Sequence, residues 1–278
     1  MKVLVTGAGG TLGREVVDHL RAAGWTVRAH DRSAPDPATA DEVLTGDLRD
    51  PGVLARAVAA VDAVVHAAAL PSPTAAPEDE VFLNNVTASH LVLAGAARAG
   101  AGRLVNVSSL SALGFAFSRS GLSPHSVPVT EEQPFTGDDI YGLSKYVGEQ
   151  IAARAGCRYG VAAVSLRFPF LGTGERLRRQ LARVHADPGV DRGSLWGWLD
   201  TRDAARAIGA ALTAPLTGHT VVNVAAPDTT ALVPTEELMR RYHPGTRIDP
   251  ALPGFAVPFA TRRSRDLLGF TPQHTWRP

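Results

Sequence analysis

The chain has 278 residues, with 28 lysines and arginines against 27 acidic residues and a formal net charge of +1. A hydrophobic fraction of 45% and a charged fraction of 20% belong to a globular chain with a full core and exclude a disordered or fibrous one. The balanced charge gives no ground for a nucleic-acid or anionic-membrane partner; the single cysteine, Cys157, allows no internal disulfide, and no apolar run approaches the roughly 18 residues of a membrane span.

Short Val-rich runs alternate with longer helical patterns from the first residues onward. Strands are predicted at 2–5, 26–30, 43–45, 63–66, 103–107, 161–168 and 220–224. Helices are predicted at 11–23, 51–60, 78–99, 141–155 and 201–212, with shorter ones at 175–185, 235–241 and 261–268. In the long helix over 78–99, Phe82, Val86, Leu93 and Ala97 recur at helical spacing and predict one apolar face. The alternation predicts an α/β fold, a Rossmann-type doubly wound parallel sheet covered on both faces. Proline clusters at 35–37, 71–77, 124–134 and after Pro227 mark loops. The expected division is a nucleotide-binding domain over 1–169 and a small, irregular substrate-covering lobe over 170–278, from which a strand and helix at about 201–226 return to the main domain. The N-terminus enters a strand at once, without the layout of a signal peptide, so a soluble cytoplasmic protein is expected.

The first strand runs into Thr6-Gly7-Ala8-Gly9-Gly10-Thr11-Leu12-Gly13 and then a helix. A strict GxGxxG fails because Leu12 holds the sixth position; the pattern is Thr-Gly-x-x-Gly-x-x-Gly, on Gly7, Gly10 and Gly13. Glycines let the backbone approach a pyrophosphate, which sits on the free N–H groups of the helix at Thr11, Leu12 and Gly13. Without a ligand the same residues would form only a tight strand-to-helix turn. Asp31 follows the second strand at the spacing where a carboxylate meets an adenosine ribose and repels a 2′-phosphate. NAD is therefore expected, with NADP left open by Arg32 next door. After the third strand, Asp47 is placed to accept from an adenine amino group, with Leu48 beside it, while Asp50 before Pro51 reads as a helix cap.

Tyr141 and Lys145 open a helix at i and i+4, on one face. A phenol with a reference pKa near 10 is a poor base at neutral pH. A neighbouring ammonium, helped by a positive nicotinamide ring, is expected to stabilise the phenolate and bring it into working range. The chain holds two lysines, Lys2 and Lys145, so a lysine here stands against a strong arginine bias. Ser108, Ser109 and Ser111 end the fifth strand, where a parallel sheet lines its ligand crevice; one of them can hydrogen-bond the reacting oxygen, or they cap a loop.

Taken in order, these motifs resemble the extended branch of the short-chain dehydrogenase/reductase superfamily, the NAD-dependent epimerases and dehydratases. The similarity runs from Met1 to about Gly174 and continues faintly to Leu268. It implies that Ser109, Tyr141 and Lys145 are the catalytic set: Tyr141 exchanges a proton with the substrate hydroxyl or carbonyl, Ser109 orients that oxygen, and Lys145 holds the nicotinamide ribose. Hydride then moves between the substrate carbon and nicotinamide C4. It also implies cofactor contacts from Ala67, Ala68 and Ala69 after the fourth strand, from Asn85 in the long helix and from Pro169, besides Tyr141 and Lys145. A homodimer packed through the helices at 78–99 and 141–155 is implied as well.

The pattern departs from nucleotide-sugar members at Arg167-Phe168-Pro169-Phe170-Leu171-Gly172, where Phe170 fills the slot of a substrate-holding asparagine. That change and the small lobe bring the chain closer to uronate-dehydrogenase-like members. Ser109, Ser111, Phe170 and Arg176 are the expected substrate contacts. Arg176 leads a group with Arg178, Arg179 and Arg183 that either pairs with a substrate anion or forms a solvated helix face. The residues between Ser118 and Asp139 form a long loop, read as a lid. Trp196 and Trp198 are either pocket wall or core, and Asp203 reads as helix-terminal electrostatics. The nine histidines show no metal-ligand spacing, so no metal is expected. The leading reading is an oxidoreductase acting on a sugar, sugar acid or similar small substrate with NAD(P). An epimerase with tightly bound NAD is the alternative, and a non-catalytic nucleotide-sensing protein on the same fold is the third.

Overall fold

The computed structural model describes residues 1–33, 40–249 and 252–277; the predicted loop at 35–37 lies outside them. In chain order the strands are β1 (Lys2–Thr6), β2 (Thr26–Asp31), β3 (Glu42–Thr45), β4 (Ala63–His66), β5 (Arg103–Ser109), β6 (Ser126–Val127), β7 (Ala162–Phe168), β8 (Phe170–Leu171), β9 (Trp198–Leu199), β10 (His219–Asn223) and β11 (Arg247–Ile248). The helices are α1 (Thr11–Ala22), α2 (Pro51–Val58), α3 (Glu78–Arg98), α4 (Ile140–Tyr159), α5 (Gly174–Ala186), α6 (Thr201–Thr213), α7 (Thr235–Tyr242) and α8 (Arg262–Leu268). Among the described residues no helix is long and apolar enough to cross a membrane.

Seven strands form one sheet in the order β10-β7-β5-β4-β1-β2-β3, every pair parallel. This is the predicted doubly wound α/β architecture. Successive side chains of a strand face opposite sides, so β1 sends Val3 and Val5 to the core shared with α1 and α6. Leu4 enters the core shared with α2, α3 and α4. The strand order reverses between β1 and β4, and the carboxyl ends on either side of that point open a crevice.

A third core belongs to the lobe and packs Leu113, Phe115, Val129, Leu195, Trp196, Met239 and Phe259. It draws on residues on both sides of Pro169. The loop after Ser118 is part of it: β6 pairs with β11, and Val129 bridges to Phe259. The loop read as a lid is thereby tied to the lobe. Trp196 and Trp198 have no exposed surface; their indoles donate to the Pro188 carbonyl and to Asp228. Both are core. Asp203 is buried in the first turn of α6 and accepts from the Gln273 and His274 backbone amides at 2.9 Å each, which ties down the C-terminal segment. Asp203 is the acidic residue of that first turn, as expected for helix-terminal electrostatics, and Asp200 is the cap.

Two elements differ from the sequence prediction for local reasons. Helix α4 continues to Tyr159 and stops at Gly160, which takes φ +67°; that glycine, rather than the polar residues before it, ends the helix. The buried face of α3 includes the predicted Leu93 and Ala97 together with Val81, Asn85, Ala88, Val92 and Ala96; in its first turns it lies one residue out of phase with the predicted Phe82–Val86 pair. The polar Asn85 sits inward because its amide is fully engaged, as described next.

Candidate active site

At the carboxyl ends of β1, β4 and β5 lies a cleft of about 760 Å³. The turn between β1 and α1 forms one end. Gly7 has φ +72°, and a Cβ there would stand 2.7 Å from the Ala68 nitrogen; at Gly13 a Cβ would stand 2.0 Å from the Gly7 carbonyl oxygen. These two glycines are required by the protein's own packing. Gly10 differs: a Cβ would meet only the Gly7 carbonyl oxygen, at 3.2 Å, and the residue lines the cleft. Gly10 is also the N-cap of α1, with no side-chain cap and no acidic residue in the first turn. The N–H groups of Thr11, Leu12 and Gly13 are therefore left for an anion.

Asp31 braces this turn. Its Oδ2 accepts from the Gly9 amide at 2.9 Å and its Oδ1 from the Arg32 amide at 2.7 Å. Asp47 caps its own turn and pairs with Arg49; the hydrogen bonds from the Arg49 guanidinium and amide hold its carboxyl down at about 2. Asp31, Arg32, Asp47 and Leu48 all line the cleft, as do Ala67, Ala68 and Ala69. Thr6 Oγ1 links β1 to that segment, contacting His66 Nδ1 at 2.9 Å and accepting from the Ala68 amide at 3.3 Å.

The other end of the cleft brings together Ser109, Ser111, Tyr141 and Lys145 with Pro169, Phe170 and Arg176. Ser109 ends β5, and its Oγ donates to Ser111 Oγ at 3.0 Å while accepting from the Ser111 amide at 3.1 Å. Asp139 caps α4 through the Gly142 amide at 2.7 Å, so Tyr141 and Lys145 lie in the first two turns. Lys145 Nζ donates to the Val107 carbonyl at 2.9 Å and stands 5.8 Å from the Tyr141 ring centre. The expected lowering of the phenol pKa is absent in the chain alone. Burial pushes Tyr141 up to about 12; a hydrogen bond with Ser109 works downward and the charge of Asp139 upward. Burial also brings Lys145 down to about 8, against the support of the Glu149 carboxylate. The two groups move apart in pKa, the phenol up and the ammonium down, because burial disfavours the charged form of each.

Asn85 is the one predicted site residue that does not line the cleft. Its amide accepts from the Leu70 nitrogen at 2.8 Å, donates to the Leu70 oxygen at 3.1 Å, and donates to Ser144 Oγ at 3.1 Å. Ser144 in turn donates to the Tyr141 carbonyl at 2.8 Å. Asn85 thus stands behind the wall, fixing the loop after β4 to the first turn of α4; Asn84 faces the cleft instead.

Sequence reasoning left the four arginines of α5 as a group, and the structure divides them. Arg178 and Arg179 are exposed and pair with Glu175 at 2.9 and 3.9 Å. Arg176 lines the cleft, its Nε donating to the Leu171 carbonyl at 2.8 Å and its guanidinium lying 5.0 Å from the Phe170 ring centre. Arg183, the other member of the predicted group that reaches the cleft, lines it together with Gln180, Asp191 and Phe117, which were not predicted. The signal for the first two was present as the i, i+4, i+7 spacing from Arg176. Asp191 and Phe117 follow from tertiary packing; the Phe117 ring stands edge-on to Tyr141, 5.8 Å between centres.

The model of the NAD dependent epimerase/dehydratase family matches residues 3–225. The chain is 30% identical to a uronate dehydrogenase of Pseudomonas syringae pv. tomato over 223 residues, which is 80% of this chain and 73% of that protein. Among solved structures it is similar to a short-chain dehydrogenase/reductase superfamily protein from Agrobacterium tumefaciens with bound NAD, at TM-score 0.76 and 26% identity over 99% of this chain and 93% of that one. It is likewise similar to MoeE5 in complex with UDP-glucose and NAD, at TM-score 0.74 and 26% identity over 100% of this chain and 95% of that one. With a glycine turn, an acidic residue at the end of β2 and a Ser/Tyr/Lys set around one crevice, the chain belongs to the NAD dependent epimerase/dehydratase family, enzymes of the extended short-chain dehydrogenase/reductase type.

Proposed function

We propose that this protein is an oxidoreductase that interconverts a hydroxyl and a carbonyl on a small sugar or sugar acid, with NAD as an exchangeable cofactor. The observation that carries it is the meeting of Ser109, Tyr141 and Lys145 with an uncapped glycine turn in one cleft. The residues fit a dinucleotide: α1 offers free N–H groups beside a glycine that leaves room for a pyrophosphate. Asp31 would meet the adenosine ribose and disfavours a 2′-phosphate. Asp47 and Leu48 would hold the adenine; Ala67, Ala68, Ala69, Pro169 and Lys145 would line the remainder of the cofactor. When bound, NAD supplies the hydride acceptor at nicotinamide C4.

The chain's own residues handle the proton and the oxygen. Ser109 donates to the substrate oxygen in place of Ser111, its present partner. Tyr141 takes the hydroxyl proton in oxidation and returns it in reduction. With its phenol at about 12 in the chain alone, that role needs positive charge nearby. Lys145 provides part of it, and the cofactor's ring adds to it. The similarity to uronate dehydrogenase supports a sugar acid, and Phe170 leaves the nucleotide-sugar asparagine unreplaced. Residues 170–278 would cover the substrate. A cytoplasmic homodimer through α3 and α4 belongs to the same proposal, with the exposed Leu83 on α3 available to an interface.

The second reading, an epimerase that retains NAD, is supported by a 35% identity over 178 residues to a UDP-glucose 4-epimerase of Azospirillum brasilense. Denaturing the purified protein and quantifying the released nucleotide separates the two. Little or no nucleotide supports the exchanging oxidoreductase; near-stoichiometric NAD supports the epimerase, and NADP would reverse the assignment of Asp31 over Arg32. In either case Tyr141→Phe lowers turnover by about 100-fold or more, and full turnover in that variant contradicts the mechanism.

A further inference from the structure

The lobe side of the cleft carries a group of polar side chains that the proton chemistry above does not use. Arg176, Gln180 and Arg183 lie on one face of α5, and all three line the cleft. Next to them, a 3-10 segment (Pro188–Ser194) brings Asp191 and Ser194 to the same wall. Asp191 is buried, at 8% exposure, and its Oδ2 has no hydrogen-bond partner among the described residues. No side-chain hydrogen bond or ion pair among the described residues engages the Arg183 guanidinium, although its charge acts on Asp191. A buried carboxyl oxygen without a partner destabilises a fold, and here it borders a cleft with an uncommitted cation beside it. A ligand that meets both groups satisfies the buried oxygen and gives the exposed Arg183 guanidinium a partner.

We propose that Gln180, Arg183 and Asp191 form the substrate-end subsite of the cleft and receive the anionic group, a carboxylate or phosphate, of a small sugar derivative. This deepens the oxidoreductase proposal and rests on it. Arg183 presents a planar fork suited to either anion, and Gln180 adds an amide donor. Asp191 assists only as the acid, donating its O–H. Burial pushes its carboxyl up to about 7, while hydrogen bonding from Ser194 and Gln180 and the charge of Arg183 work downward without satisfying Oδ2. Arg183 on α5 is the charged group that acts on it, and Arg192 follows it in the same segment. His243, beyond α7, hydrogen-bonds the Arg192 carbonyl, and burial lowers its pKa. As pH rises Asp191 ionises, competes for Arg183 and repels the incoming anion.

The test uses the NAD-loaded protein and three pyranoses that differ at C6: D-glucuronate, D-glucose 6-phosphate and D-glucose, each titrated calorimetrically at pH 6 and pH 8. At pH 6 at least one anionic sugar binds about tenfold or more tightly than glucose, and which one identifies carboxylate or phosphate. That preference falls by about tenfold by pH 8, as expected for one linked proton. Arg183→Gln abolishes the preference, and Asp191→Asn keeps it with a flat pH profile. Gln180→Leu, on the helix surface, weakens it several-fold and serves if Asp191→Asn fails to fold. The subsite is refuted if the preference survives Arg183→Gln, or if Asp191→Asn follows the wild-type pH profile. Sugar oxidation with an unaltered preference in these variants overturns the subsite alone. Absence of binding and oxidation with all three sugars overturns the subsite and the oxidoreductase proposal together.

Discussion

Tyr141 sits in a pocket that opposes its own ionisation. Burial and the Asp139 carboxylate both disfavour the phenolate, yet Asp139 is needed as the cap that starts α4. Asparagine caps helices about as well as aspartate, so Asp139→Asn separates the two roles. The variant keeps its fold and loses the opposing charge. The pH limb of sugar oxidation then moves to lower pH, with the rate below the limb up on the order of threefold; an unmoved limb would show that Asp139 acts only as a cap. Such a conflict is invisible in Tyr-x-x-x-Lys spacing, which gives the neighbours of a phenol but not its desolvation. The glycine turn is a contrasting case. Gly7 and Gly13 are required by backbone packing, Gly10 faces the cleft, and all three were legible because only glycine satisfies either demand. Asn85 was recognised as a residue that matters, while its orientation toward Leu70 and Ser144 depended on helix phase.

At the scale of elements, β5, α4 and β7 are joined by one buried pair. Arg167 grips both oxygens of Glu149 at 2.7 and 2.8 Å, and Ser108 donates to the same carboxylate at 2.5 Å. The pair holds the strand that carries Ser109 against the helix that carries Tyr141 and Lys145. Removing one partner leaves a buried charge unpaired, so Arg167→Leu should cost about 3–5 kcal/mol of unfolding free energy, measured by urea denaturation. Adding Glu149→Leu to that variant should recover much of the loss; no recovery would mean that packing, not charge, was lost. Long elements were readable from periodicity because whole turns repeat it. β6, β8, β9 and β11 have two residues each, too few to show any period, and the pairing partners that define them lie far along the chain. In the first turns of α3 the error was one of phase, while Leu93 and Ala97 were placed correctly: polarity alone assigns an asparagine outward, and Asn85 is satisfied inside.

The whole molecule rests on three cores, two flanking the sheet and one within the lobe. The sheet order follows from strand–helix alternation and right-handed crossovers, so it was legible early. The lobe was not, since its core mixes residues near 110–129 with residues near 184–259. Under the sheet's crevice, His66 is wholly buried between Thr6 and Ser89. Burial, more than the charges of Lys145 and His30, drives its pKa down to about 3. Between that value and the unfolded value near 6.5 the unfolded chain binds the extra proton, so His66 makes stability fall as pH drops through this window. His66→Gln should show a shallower acid limb in unfolding free energy over pH 6.5 to 4, and identical slopes would contradict the buried neutral ring.

The central claim is that this cleft catalyses NAD-dependent oxidation of a small sugar. The most direct test mixes the purified protein with NAD and D-glucuronate, D-glucose 6-phosphate or D-glucose in turn and follows NADH absorbance. Steady, multiple-turnover NADH formation with at least one sugar, lost in Tyr141→Phe, is the predicted result. No NADH with any of them, from protein shown to bind NAD, would contradict the account.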